Sequence, residues 1–586
     1  MRNKTVRAAM LLVGLLLAAS VAPAQVLQQV PGDAMVVVKF HDLAGTSARI
    51  GAWAKGMGLD MPPFNDLLGF GLMQAQLAGG LNRNGELAVA MFVPEEDAPP
   101  SPLILFPITD YAAFVQNFGQ TEKVDGFDSV QFRMGKGATP MLMAKWGAYA
   151  AASPSKSILS KKPGGLQLAG PSAALVQGKG DVSIYVSGSA VRAKALPMFK
   201  EQRGQVVEMG VAAFKQGGGQ DKYLPVIRIL MNQALNLVQD MLEGGNAAVV
   251  AMNISDKGLN TTAMADFAPQ SRMGKLFGQM KNSDASMTKG IPQGDYVMYG
   301  GYVQNAQASA KFVADVIDPA VKELAALGAE GQAMVTAIDA IKAQLAAMNG
   351  GAFGVLVDPA SKTGLLKAVQ VVDGDAAAIM DSAAKMQKVA DQLTALMPGP
   401  RTQLVYTPKA KTVDGVSLDK MQAKLQADPQ KPEEMMAAQM MAMLYGPGGS
   451  TNFMGAVNAT RYVQVMGDDE ALLAKAVAAA KAGQDPFAQN AGAKAVAATL
   501  PQNRCAVAFI AVDKAIKAGI AVANQQMGGN LNMQLPPNLP PIGMSVAAEG
   551  SAIRMDMHVP TQLIQGIYMA ILQMQMRQPA GGDGNL

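Results

Sequence analysis

Pro31-Gly32-Asp33-Ala34 and the run Met35-Val36-Val37-Val38-Lys39-Phe40 open one half of the chain; Pro292-Gln293-Gly294-Asp295 and the run Tyr296-Val297-Met298-Tyr299 open the other. Each opening reads as a turn, a β-rich apolar strand and then a polar residue before a helical stretch. The segments that follow match between the halves in the same order. A hairpin from Gly85 to Ile108 feeds a helix start at Asp110; its counterpart from Gly351 to Val372 feeds one at Asp373 to Ala378. A strand at Trp146–Ala151 matches Tyr462–Met466. Each half closes on a hairpin, turning at Asp256-Lys257-Gly258 and at Glu549-Gly550, where glycine supplies the positive φ of a tight turn. This order predicts two tandem, related α+β domains, each a mainly antiparallel sheet with helices packed on it.

The domains are expected at 25–280 and 290–577, with residues 281–289 as a polar junction. The stretch 428–449 has no counterpart in the first half. It reads as an inserted helix carrying Met435, Met436, Met440, Met441 and Met443, and residues 578–586 read as a disordered tail.

Residues 1–24 read as an export signal. Arg2, Lys4 and Arg7 precede the apolar stretch Ala8–Ala19, and Ala22-Pro23-Ala24 is a small-x-small cleavage site. The formal charge of the whole chain is +4; the signal holds three of those positive charges and no acid, leaving +1. Such a balance offers no electrostatic case for nucleic acid or an anionic membrane. No later segment reads as a membrane span, so the expected location is the periplasm or the wider cell envelope. The single cysteine, Cys505, lies in a strand-like apolar run and reads as a small buried hydrophobe.

Strand-to-helix junctions recur at Asp42, Ser187 or Ser189, Asn305 and Asp513, residue types that accept hydrogen bonds from the free N–H groups of a first helical turn. Asp110, Asp373 and Asp468 are assigned the same capping role. His41 and His558 are placed on solvated strand faces; in the last strand Ile553, Met555, Met557 and Val559 are taken as the buried set. With two histidines and no ligand spacing, no metal or cofactor is expected. No nucleophile elbow accompanies either histidine, and Gly217-Gly218-Gly219 leads into no phosphate-loop lysine.

The Pro-x-Asp opening, valine-rich strand and capped helix resemble exported bacterial envelope proteins of unknown function, families found among planctomycetes and cyanobacteria. The resemblance implies an extracytoplasmic α+β protein and supplies no catalytic residues. The expected function is non-enzymatic: binding an unidentified protein or an apolar ligand, or forming part of an envelope assembly. The alternatives are a carboxylate-based hydrolase with a site between the two domains, and a carrier of an apolar ligand on the methionine-rich helix. For the latter, Met436, Met440 and Met443 share one helical face.

Overall fold

The computed structural model describes residues 26–577 apart from 59–64, 93–100, 135–136, 162, 167, 395–400 and 528–532. The expected export signal and the tail 578–586 lie outside the described residues. The chain divides into two compact units. One holds the residues up to Lys194 together with Gly245–Asp266; the other holds Ala195–Gly244 and Phe267 onward. The helical segment 195–244, expected within the first domain, therefore groups with the second unit.

The first unit begins β1 (Val36–Phe40), α1 (Leu43–Gly56), α2 (Leu67–Gln74), β2 (Leu87–Met91), β3 (Pro102–Pro107) and α3 (Tyr111–Gln116). A meander follows: β4 (Glu122–Val124), β5 (Phe127–Met134), β6 (Gly137–Trp146) and β7 (Tyr149–Ser153). Then come α4 (Lys156–Leu159), α5 (Pro171–Gln177) and β8 (Val182–Ser187); the chain next forms the helices α6 (Gly188–Gln216) and α7 (Leu224–Gly244), which from Ala195 on group with the second unit, and returns to the first with the hairpin β9 (Gly245–Ser255) and β10 (Gly258–Phe267).

The second unit continues with α8 (Arg272–Gln279), β11 (Tyr296–Val303), α9 (Ala306–Ala325), α10 (Ala329–Ala347), β12 (Met348–Val357), β13 (Leu366–Gly374) and α11 (Ala376–Thr394). Its meander is β14 (Arg401–Val413), β15 (Val416–Gln426), α12 (Pro432–Tyr445), β16 (Ser450–Asn458) and β17 (Arg461–Met466). It ends with α13 (Glu470–Ala482), α14 (Ala491–Ala497), β18 (Ala506–Ile510), α15 (Val512–Met527), β19 (Ile542–Glu549), β20 (Ala552–Pro560) and α16 (Thr561–Arg577).

Hydrogen bonding orders the strands of the first unit as β4-β5-β6-β7-β3-β2-β1-β8-β9-β10. Those of the second run β14-β15-β16-β17-β13-β12-β11-β18-β19-β20. The two orders are the same, strand for strand. The first meander in each unit turns at an Asp-Gly pair with both residues at positive φ, Asp125-Gly126 and Asp414-Gly415, the conformation a two-residue hairpin turn requires. The paired phrases Val124-Asp125-Gly126 and Val413-Asp414-Gly415 are a repeat signal that the apolar runs alone do not give. The insert α12 is the helix without a counterpart among the described residues of the first meander.

Both faces of each sheet are covered near its centre. In the first unit Leu103, Leu105 and Ala151 pack on one face, while Phe106, Ala150 and Ala152 pack on the other. In the second, Val463 and Val465 meet Leu473, Ala476 and Val477 of α13, while Tyr462 on the opposite face meets Ala376 and Ile379 of α11. Strands buried on both sides read as continuous apolar runs instead of alternating ones, as β3 and β7 do.

Asp42, Asp110 and Asn305 cap their helices by accepting from Gly45, Ala113 and Ala308 N–H, and Ser187 accepts from Ala190 N–H. Three expected caps are corrected. Asp375, not Asp373, accepts from Ala378 N–H, since Asp373 belongs to β13 and pairs with Arg461 at 2.7 Å. Asp469, not Asp468, caps α13 through Leu472 N–H. Asp513 lies inside the first turn of α15 and is buried there.

The expected parity of β20 is also corrected. His558 is 3% exposed and Asp556 is buried in an ion pair with Arg554, whereas Met555 is 47% exposed. Both α8 and α16 pack against β20. Alternation along one strand defines two faces, but what packs on them decides which is buried. Among the described residues no helix is long and apolar enough to cross a membrane.

Candidate functional site

In the second unit α11 does not close fully onto the sheet. Strands expose alternate residues to one face and a helix exposes positions i, i+3, i+4 and i+7. Leu404 and Tyr406 of β14, Met421 of β15, Met454 of β16, and Tyr462 and Gln464 of β17 form a floor. Ala383, Met386, Gln387 and Ala390 of α11 form a roof, with Gln344 of α10 at the side. The space between them is about 320 Å³. The register explains the floor: Tyr406 lies opposite Met421, and Met454 opposite Gln464.

Among the described residues no charged side chain lines this cavity. Its polar groups are amides and phenols. The Tyr406 hydroxyl donates to Asp419 Oδ2, and Lys409 N–H donates to Asp419 Oδ1 at 2.8 Å. Burial, then the Asp419 carboxylate, pushes the Tyr406 phenol up to about 12. Burial also raises the Tyr462 phenol, and its hydroxyl donates to Gln464 Oε1 at 3.5 Å. Gln464 in turn donates to Asn452. Gln387 differs from these groups: its Oε1 is buried without a hydrogen-bond partner among the described residues. Such an acceptor calls for a donor from water or ligand.

The first unit shows what the same place looks like when filled. Through the ladders β5–β6 and β15–β16, Asp128 corresponds to Asp419 and Val130 to Met421, and Phe132 lies two residues on, on the same face as Val130. Through the ladders β6–β7 and β16–β17, Met143 corresponds to Met454 and Ala152 to Gln464. Phe118 lies as far beyond the cap Asp110 as Ala383 lies beyond the cap Asp375. Phe118 and Phe132 have ring centroids 5.5 Å apart, and Phe106 and Phe114 extend the cluster. Phe118 therefore sets a ring, packed on Phe132, at the position where the second unit has only the methyl group of Ala383.

The methionines expected to form a site are placed elsewhere. Met435, Met436 and Met440 are 39%, 71% and 54% exposed on α12, Met441 and Met443 are half-buried, and none of the five lines the cavity. The lining methionines Met386, Met421 and Met454 come from three separate elements. Sequence reading missed them because each is isolated along the chain. The mismatch between Ala383 and Phe118 across the repeat was the available signal.

A second group lies within the first unit. Lys39 is fully buried and donates to Gly178 O at 3.0 Å, with Glu86 Oε1 at 3.6 Å. His41 Nδ1 lies 2.8 Å from the same oxygen, so this histidine is a carboxylate partner and not simply a solvated one. Burial pushes the Lys39 ammonium down, against the pull of Glu86. Glu86 Oε2 and the Oγ of Ser183, which is paired directly across from Lys39, are buried without partners among the described residues. At the corresponding position of the second unit stands Gly301, where a Cβ would fall 1.8 Å from Met287 O.

Two adjoining depressions of about 670 and 540 Å³ lie between Pro292–Asp295 and α13. They are open, their lining mixes polar and apolar groups, and among the described residues no buried side-chain N or O atom in that lining lacks a partner. Cys505 is buried, donates to Val546 O at 3.3 Å, and has its thiol pushed up by burial. Among the described residues no cluster of His, Cys, Asp and Glu could hold a metal ion.

No protein-family model matches the chain. No curated protein matches it. Among solved structures it is similar to one titled "Structure of crystal form IV of TP0453", at 11% identity and a TM-score of 0.22, covering 42% of this chain and 82% of that one. A likeness of that degree carries no argument about fold or activity.

Proposed function

We propose that this chain is a non-enzymatic, exported binding protein of the cell envelope, that its two units descend from one duplicated domain, and that the second unit holds a small apolar ligand beneath α11. The observation that carries the reading is the contrast between the units. The position filled in the first by the Phe118 ring, packed on Phe132, is held in the second by Ala383, beside a cavity of about 320 Å³ that no charged side chain lines among the described residues. Pockets for small ligands are mostly apolar with a few placed polar groups, which describes this lining. The carrier role expected of the α12 methionines moves to Met386, Met421 and Met454.

The test is titration of the purified chain with diphenylhexatriene, an uncharged fluorescent hydrocarbon. Saturable binding at one site, lost in Ala383→Phe, supports the reading. Absence of saturable binding, or equal binding by the variant, overturns it.

A further inference from the structure

We infer that the cavity under α11 selects an uncharged amphiphile, an apolar chain or ring bearing one hydrogen-bond donor such as a hydroxyl, and rejects carboxylates and ammonium groups. This rests on the reading of the cavity as a ligand site. The first ground is the lining. No described residue there carries a charge, and Asp419, which the Tyr406 hydroxyl reaches, is engaged by that hydroxyl and by Lys409 N–H. An ionised head group would lose its hydration with no counter-charge to replace it, and a buried unpaired charge is among the costliest groups to place in a protein.

The second ground is a buried acceptor in the lining. Tyr406, Tyr462 and Gln464 all have partners. Gln387 Oε1 is a buried acceptor with none among the described residues. A ligand hydroxyl or amide N–H would complete it, whereas a ligand ether or ester oxygen would face it as a second acceptor. A site built to hydrogen-bond a donor discriminates against the analogue lacking it, because its own buried group is then left unpaired.

The experiment displaces bound diphenylhexatriene from the full chain with 1-decanol, decyl methyl ether, decanoate and decylammonium at pH 8. Decanol is expected to compete at least tenfold better than decanoate or decylammonium, and about threefold to tenfold better than the ether. In Gln387→Leu the preference for decanol over the ether should disappear. Equal competition by decanol and decanoate overturns the inference while the pocket reading stands, as does failure of every decyl compound to displace a probe that does bind. A preference for decanol that survives Gln387→Leu overturns the role of the Gln387 amide. If the probe itself does not bind, both readings fall.

Discussion

Ala383→Phe places in the second unit the ring that Phe118 supplies in the first, and it tests whether the cavity is real space or a packing irregularity. Ala383 faces Met421 and Met454 across about 320 Å³. Burying a phenylalanine side chain is worth about 1.5–3 kcal/mol. Forcing a ring into a packed core instead costs about 1–3 kcal/mol. If the space is present, the two terms leave the variant within about 2 kcal/mol of the parent in urea unfolding, with the balance toward greater stability. Diphenylhexatriene affinity should fall at least tenfold, a loss of about 1.4 kcal/mol. A folded variant whose affinity stays within threefold of the parent refutes the assignment. Destabilisation beyond about 4 kcal/mol refutes the space itself. Met421→Phe approaches the same volume from the sheet and should reproduce both effects.

The remaining predictions concern electrostatics and caps. Glu86→Ala leaves the fully buried Lys39 without its carboxylate and should cost about 3 kcal/mol, the penalty growing as pH falls because Lys39 must then bury its charge. Lys39→Met together with Glu86→Leu should instead be neutral or stabilising by the same chemical denaturation. Tyr406 ionises near 10 when unfolded and at about 12 when folded, so its contribution is intact below pH 10 and is lost as pH rises through 12. Tyr406→Phe should therefore flatten the alkaline limb of stability and remove one late phenolate from the absorbance titration at 295 nm. Asp469→Ala removes both the α13 cap and an ion pair to Lys367 at 2.6 Å and should cost about 1–2 kcal/mol, whereas Asp468→Ala should stay within about 0.5 kcal/mol.

The features legible in the sequence are those carried by neighbouring residues. Helix caps at Asp42, Asp110 and Asn305 are local hydrogen bonds between a side chain and N–H groups three residues on, so residue type and position suffice to place them. The hairpins closing at Gly258 and Gly550 follow from turn chemistry in the same way. Errors of a residue or two at Asp373 and Asp468 arise where two acidic residues stand close together and only the helix start decides which one caps. The β20 error is of another kind. Ile553, Met555, Met557 and Val559 are the more apolar set, yet Asp556 and His558 are the buried ones, Asp556 with its cost offset by Arg554.

By itself the chain's order of strands, turns and caps determined the α+β class and the succession of many of its strands and helices, because hydrophobic period and turn chemistry act over a few residues. It did not determine the cavity. That space is a sum of side-chain volumes contributed by α10, α11 and four strands, residues 344 to 464, and its existence depends on Ala383 lying opposite Met421 and Met454. No property of any one of those segments records the gap. Only when the tertiary structure brings them to one face of the sheet does a methyl group where the other unit has a ring become an opening.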